Sequence, residues 1–130
     1  MRPTKLITKE QMQRLLRNGA DPDADPAPVV KLFMPDGGAT WLLTSIDPDD
    51  PDIAFGLCDL GVGFPELGCV SLTELRDLRG RLRLPVERDK WFEAVHPISV
   101  YAEAAWRAQR ITTSAKDLQE AQAALAGRAA

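Results

Sequence analysis

The residue types that most often carry catalysis are sparse in this sequence. There is one histidine, His96, and the two cysteines, Cys58 and Cys69, stand eleven positions apart. That spacing matches no zinc-binding motif. A thiol–imidazole pair would act as nucleophile and base only where folding brings the groups together and the pKa of the thiol is lowered. We therefore expect small buried cysteines, a surface imidazole and no metal site, with a small enzyme that uses Cys58 as an alternative.

Asp59 and Glu66 are the second candidate pair, as two carboxylates for acid–base work in a small hydrolase-like enzyme. Between them, Gly61 and Gly63 begin like a dinucleotide-binding fingerprint. The third glycine is missing, and Pro65 stands where the helix of that motif must begin. We expect a loop whose glycines adopt positive φ angles, and no cofactor.

The spacing of Asp21, Asp23 and Asp25 resembles the first three acidic positions of a calcium-binding loop. The sixth position of that loop is Pro26 where glycine is needed, and the twelfth is Leu32 where a bidentate glutamate is needed. Both requirements fail, so the segment is predicted to be a loop rich in proline and aspartate.

Charge is distributed unevenly along a chain whose net charge is −3 at pH 7. From Asp21 to Glu66 there are ten acids and one base, Lys31, whereas residues 76–110 hold eight bases and five acids. Many of the acids flank proline or glycine, where aspartate favours turns by bonding its own backbone. This separation of charge along the chain influences which partners the protein attracts and how fast it associates with them.

Two acidic loops form the candidate surface for binding another protein. Its residues are Asp47, Asp49, Asp50, Asp52, Asp59, Phe64 and Glu66. We expect the two loops to lie close together, because one strand connects them. An alternative uses all ten acids: on one face and at phosphate-like spacing, they would mimic DNA and occupy a nucleic-acid-binding protein, as an anti-defence protein does.

Four arginines form the best basic cluster: Arg76, Arg79, Arg81 and Arg83. Arg76 and Arg79 fall late in a predicted helix, where they complement its negative end. Arg81 and Arg83 alternate along a predicted edge strand at residues 82–86, where charge deters aggregation. A stripe that contacts nucleic-acid phosphates is the alternative, which the acidic isoelectric point near 5.1 disfavours.

The helices are predicted from capping residues and apolar spacing. Thr8 and Gln11 form a capping box that opens a helix over residues 9–17. Ser71 and Ser99 are the expected N-caps of two later helices. The last helix, which ends near Gln109, should bury a stripe made by residues 101, 105 and 108.

The strands are predicted from alternation over residues 29–34, 40–46 and 53–58. The first two form an antiparallel hairpin around the turn at residues 35–38. Trp41 and Phe55 are expected inside the core, so replacing either with alanine should cost about 3–5 kcal/mol.

A chain of 130 residues is the length of one domain with one core. We predict an α+β fold: a mainly antiparallel sheet of four or five strands with two or three helices packed on one face. Residues 1–110 should form the domain, and residues 111–130 an Ala/Gln-rich tail that is helical or frayed. No segment is apolar enough for a membrane span or a secretory signal, so a cytoplasmic protein is expected.

Several long phrases are similar to a known family. They are KLITKEQMQRLLRNG at residues 5–19, PVVKLFMPDGGATWLL and DPDDPDIAFGLCDLGVGFPELG in the middle, then VSLTEL and LPVERD. They resemble an uncharacterised domain-of-unknown-function family of short bacterial proteins, often encoded on plasmids and conjugative elements. The resemblance covers about residues 5–105. It implies an accessory protein of mobile DNA, and it implies no activity, cofactor or site residues because none is established for the family. The sequence does not predict an oligomeric state.

Overall fold

The computed structural model describes residues 6–129, which form five strands and four helices. In chain order the elements are α1 (Lys9–Gly19), β1 (Val30–Phe33), β2 (Thr40–Ile46), β3 (Ile53–Asp59), β4 (Glu66–Ser71), α2 (Leu72–Asp77), β5 (Glu87–Arg88), α3 (Ile98–Ala108) and α4 (Ala115–Ala129).

The five strands form one antiparallel sheet in the order β4-β3-β2-β1-β5. The α+β class and the mainly antiparallel sheet are thereby confirmed. The predicted edge strand at residues 82–86 is wrong. The chain folds back there between Arg79 and Pro85, and the strand at this edge of the sheet is the two-residue β5 that follows.

Helices cover both faces of the sheet. Trp41 and Leu43 of β2 pack in one core with Leu15 of α1 and with α2. Leu42 points the other way and packs with Tyr101 of α3 and with α4. The helices predicted on one face are present as α1 and α2, and α3 and α4 form a second layer on the other face, because consecutive apolar residues in a strand place apolar side chains on both faces.

A bulge in β2 keeps Leu43 and Ile46 on the same face of the sheet. The pairing with β3 shifts register after Leu43, so Thr44 is the extra residue. The Thr44 hydroxyl donates to the carbonyl oxygen of Phe55 at 3.1 Å, and its own carbonyl accepts from the Asn18 side chain at 2.8 Å. Leu43 and Ile46 consequently share the core beneath α1.

Two of the three predicted helix caps are confirmed. The Thr8 hydroxyl accepts from the Gln11 N–H at 3.1 Å, and the Gln11 side chain accepts from the Thr8 N–H at 2.9 Å. Ser71 caps α2. Ser99 is not the cap of α3. Its N–H and its hydroxyl both donate to the carboxylate of Asp25, at 3.1 and 2.5 Å, so a distant loop supplies the cap.

The segment predicted as a tail forms α4, which packs on α3. Leu118 and Ala121 are buried in the same core as Tyr101. Near the end of α4, the Arg128 guanidinium lies 2.6 Å from the carboxylate of Glu103 on α3. That hydrogen bond lowers the pKa of Glu103 below its ordinary value.

The sheet has two ends that are about 20 Å apart, since β3 is seven residues long. At the β2–β3 end lies the turn of residues 47–52, together with the loop of residues 21–28 that follows α1. At the β3–β4 end lie the loop of residues 60–65 and the turn of residues 34–39, which touch where Gly38 approaches Gly61. The candidate acidic residues lie at one or the other of these two ends.

Candidate functional site

The predicted acidic surface is divided between the two ends of the sheet. Asp47, Asp49 and Asp50 are exposed at the β2–β3 end. Phe64 and Glu66 are exposed at the β3–β4 end. The connecting strand separates the two loops instead of bringing them together, because an extended chain carries its ends apart.

The acids of residues 47–52 mainly build the turn. Asp47 and Asp50 each accept a hydrogen bond from the N–H two residues later. Asp52 accepts from the Ser71 hydroxyl at 2.6 Å and from the N–H and hydroxyl of Thr73 at 2.9 and 2.7 Å. These bonds, with that of Ser71 the strongest influence, lower the pKa of Asp52 below its ordinary value.

Asp59 is buried at the opposite end of the sheet and accepts hydrogen bonds from backbone N–H groups. Its two oxygens accept from the N–H groups of Gly61 at 2.8 Å and of Ile111 at 2.9 Å. The positive φ angles expected of Gly61 and Gly63 are confirmed, at 81° and 91°. Both carboxylate oxygens of Asp59 are thus occupied, and Glu66 points into solvent, so the two do not form a catalytic pair.

A depression of about 490 Å³ lies at the β2–β3 end, on the face covered by α3. We call it the acidic groove. Its apolar lining consists of Pro22, Ala24, Pro26, Ile53, Phe55, Cys69 and Ile98, and its polar lining of Asn18, Gly19, Asp21, Thr44, Ser45 and Asp47. Cys69 belongs to the edge strand β4 and is exposed.

Phe55 shows why the floor of the groove is uncovered. Its side chain is 38% exposed, whereas Leu57, two residues along the same face, is buried under α3. The expectation that Phe55 belongs to the core is wrong, because α3 begins only at Ile98 and leaves the start of β3 open. Strand alternation indicates a face, and the position of a helix decides whether that face is covered.

The charged side chains that line the acidic groove are both carboxylates, Asp21 and Asp47. Asp23 and Asp49 are exposed in the same two segments and add to the negative potential. Arg14 and Arg17 line a separate depression that shares Asn18 and Pro26 with the groove. An apolar floor between carboxylates suits a ligand that is both apolar and cationic.

A second depression, of about 420 Å³, lies at the β3–β4 end. Phe64 and Trp106 line it and are 75% and 72% exposed. Arg107 and Glu66 complete its charged lining. Trp106 was not among the predicted site residues, although this tryptophan lies off the buried stripe predicted for its helix.

The thiols and the imidazole are not assembled into a site. Cys58 packs against the core beneath α1, whereas His96 lies against Tyr101 in the core on the opposite face. Burial raises the pKa of the Cys58 thiol, which disfavours the reactive thiolate. Cys69 is exposed, so the expectation of two buried cysteines is wrong for this residue.

The arginine cluster is divided by the end of α2. Arg76 lies in the last turn of the helix. The Arg79 guanidinium donates to the carbonyl oxygens of Arg76 and Leu78, both at 2.8 Å, which fits the predicted helix-terminal role. Arg81 and Arg83 lie at the tip of a hairpin and not along a strand.

The ten acids do not share one face. Seven lie at the β2–β3 end: Asp21, Asp23, Asp25, Asp47, Asp49, Asp50 and Asp52. Asp36, Asp59 and Glu66 lie at the β3–β4 end. The ten-acid surface that DNA mimicry requires is therefore not formed.

Comparison with known proteins identifies a family without an assigned activity. A family model described as "Protein of unknown function (DUF2958)" matches residues 6–112, so the chain belongs to that family. This confirms the resemblance to an uncharacterised family. No curated protein matches the chain, and no solved structure matches it. Within residues 6–129 no helix has the length and hydropathy of a membrane span; the cytoplasmic location stays a prediction.

Proposed function

We propose that this member of the DUF2958 family is a small protein-binding module whose acidic groove receives a basic, apolar segment of a partner protein. The carrying observation is the composition of the groove: Ile53, Phe55 and Ile98 form an apolar floor, and Asp21 and Asp47 are its charged lining. The volume is in the range of sites that enclose a drug-sized ligand, which is also the size of a short peptide segment.

The apolar floor and the carboxylates contribute to binding in different ways. Burying the exposed ring of Phe55 contributes hydrophobic free energy that no other part of the described chain takes up. The carboxylates of Asp21 and Asp47 then select the charge of the ligand and accelerate its encounter. From the resemblance in sequence, we further propose that the partner belongs to the machinery of a mobile DNA element.

The experiment is selection from a display library of short random peptides. We expect enrichment of sequences in which lysine or arginine flanks an aliphatic residue. The enriched peptides should bind an Asp21→Asn/Asp47→Asn variant about tenfold more weakly than wild type, since two partly desolvated charge contacts are lost. Asparagine keeps the acceptor that Asp47 offers to the turn.

The matched control is Asp23→Asn, which removes a charge from the same loop outside the groove lining. It should weaken binding much less than the double variant does, because Asp23 acts only through long-range potential. Enrichment of acidic peptides, or equal affinity of the double variant and wild type, contradicts the proposal.

A partner recognised by charge alone is the second candidate, since seven acids lie at the β2–β3 end although the ten-acid surface of a DNA mimic is not formed. Such a partner would read charge and leave the apolar floor unused. Phe55→Ala separates the two candidates, because it should weaken a groove-bound peptide and leave a charge-only partner unaffected.

A further inference from the structure

The chain carries a basic, apolar segment of its own. We call residues 79–85 the arginine hairpin. Its base is closed by the bridge between Arg79 and Pro85. Across the turn, the N–H of Arg83 donates to the carbonyl oxygen of Gly80 at 3.0 Å, and the N–H of Gly80 donates to that of Leu84 at 3.3 Å.

The arginine hairpin is fixed in shape before it meets any ligand. The Leu82 N–H donates to Oδ2 of Asp36 in the β1–β2 turn at 2.6 Å. Gly80 lies against the same carboxylate, so a side chain at this position would displace Asp36. Arg83 holds a left-handed backbone with φ of 63°, a conformation that persists only where the surroundings enforce it. A loop held in this way loses little conformational freedom on binding.

The tip of the arginine hairpin presents charge and apolar surface together. Leu82 is 74% exposed, and Leu84 is also exposed. Arg81 and Arg83 flank Leu82, are exposed, and pair with no acid among residues 6–129. The tip therefore has the composition that the acidic groove is suited to receive.

We infer that the acidic groove of one molecule receives the arginine hairpin of a second copy. The inference rests on the proposed function of the groove, and it identifies one occupant. Leu82 supplies the apolar group for the floor at Phe55, and Arg81 and Arg83 face the carboxylates of Asp21 and Asp47.

The positions of the two surfaces decide the geometry of this contact. The hairpin lies at the β3–β4 end and the groove at the β2–β3 end, about 20 Å away, so one molecule does not fill its own groove. The contact joins two different surfaces. Such heterologous contacts build rings where the rotation closes and chains where it does not.

Self-association of this kind regulates the proposed function. A groove that holds the hairpin of a neighbour is closed to a partner segment, so the two compete. Because the hairpin tip is small, the contact is weak and forms at high local concentration. A partner with more apolar contact displaces it.

Sedimentation velocity over a concentration series tests the inference with two charge-reversed variants. One is Asp21→Lys/Asp47→Lys in the groove, and the other is Arg81→Glu/Arg83→Glu in the hairpin. Wild type should self-associate in low salt, and high salt should weaken this association about tenfold. Each variant alone should stay monomeric, since like charges then meet.

An equimolar mixture of the two variants should associate again. The native hairpin of the groove variant meets a native groove, and the glutamate hairpin meets the lysine groove. Arg107→Glu/Arg110→Glu is the control, because it makes the same change in net charge as the hairpin variant and leaves both surfaces intact. The hairpin variant changes only exposed side chains, and circular dichroism verifies that each variant is folded.

Two results overturn the inference. In the first, wild type stays monomeric over the concentration series while display-selected peptides bind its groove. The contact between copies is then contradicted, and the proposed function is still supported. In the second, the hairpin variant still self-associates like wild type. If wild type is monomeric and the hairpin variant loses binding to a single-stranded oligonucleotide, the hairpin contacts phosphates instead. If wild type self-associates but binds no display-selected peptide, the proposed external partner is contradicted and the contact between copies is supported.

Discussion

The N–H of Leu82 donates a hydrogen bond of 2.6 Å to the carboxylate of Asp36, a residue 46 positions earlier in the chain. The bond joins the arginine hairpin to the turn between β1 and β2. The other carboxylate oxygen, Oδ1, is buried and has no hydrogen-bond partner among residues 6–129. One side chain thus holds the orientation of a loop that has no strand pairing beyond the bridge at its base.

Replacing Asp36 should loosen the hairpin selectively. Asp36→Ala removes a charged acceptor, so the free energy of unfolding should fall by about 1–2 kcal/mol. Hydrogen exchange of the Leu82 amide should accelerate more than that of amides in β2. Asp36→Asn keeps a carbonyl acceptor, so its free energy of unfolding should lie between those of the alanine variant and wild type. Unchanged exchange at Leu82 would show that the hairpin is held by other contacts.

Trp41 and Phe55 should respond very differently to truncation. Trp41 is 2% exposed in the core beneath α1, so Trp41→Ala should cost about 3–5 kcal/mol. Phe55 lies on the open floor of the acidic groove, so Phe55→Ala should cost about 1 kcal/mol. Urea unfolding of both variants measures the contrast. Equal losses would mean that Phe55 is covered in solution.

Asp59 should prove structural. Asp59→Ala leaves two backbone N–H groups without their acceptor and should cost about 2–4 kcal/mol. Glu66→Ala, at the exposed start of β4, is the control and should change stability by less than about 0.5 kcal/mol. Thermal unfolding compares the two. A stable Asp59→Ala protein would reopen a chemical role for this carboxylate.

Helix α4 should contribute to the core in spite of its Ala-rich sequence. Leu118 is buried against α3, so Leu118→Ala should cost about 2–5 kcal/mol. Lys116→Ala, at an exposed position of the same helix, should have little effect. Calorimetry should show one transition for both. A separate low-temperature transition for Leu118→Ala would mean that α4 unfolds independently.

Asp52 should contribute to the loss of stability in acid. Its pKa is lowered from the ordinary value of 3.8, chiefly by hydrogen bonds from Ser71 and Thr73. The unfolded chain therefore takes up the proton more readily, so the contribution is complete above the ordinary pKa and is lost as the pH falls through the depressed folded value. Asp52→Asn should flatten the acid limb of the stability curve measured by urea unfolding. Asp49→Asn, in the same turn, is the control.

Local patterns were reliable where neighbouring residues alone decide the structure. The capping box of Thr8 and Gln11 is confirmed because its partners are three residues apart. Strands β1 to β3 lie close to their predicted positions, since alternation reflects the pleat itself. The cap on Ser99 was wrong, because its acceptor, Asp25, is 74 residues away.

In the candidate site, too, local sequence predicts some features and contacts between distant residues determine the others. The acids of residues 47–52 and the arginines of residues 76–83 are evident from charge alone. Their placement at opposite ends of the sheet follows from the direction of β3 and from the contact between Asp36 and Leu82, neither of which is a local property. The open floor at Phe55 depends on where α3 begins.

The amino-acid order by itself determined the class of the fold, the alternating strands, the first helix cap and the separation of acidic from basic segments. These depend on side-chain alternation and on bonds between near neighbours. The tertiary structure decided which apolar faces are covered, which carboxylates are consumed as backbone acceptors, and which charged loops share an end of the sheet. Those outcomes depend on contacts between residues far apart in the chain, whose free energies exist only once the elements have packed.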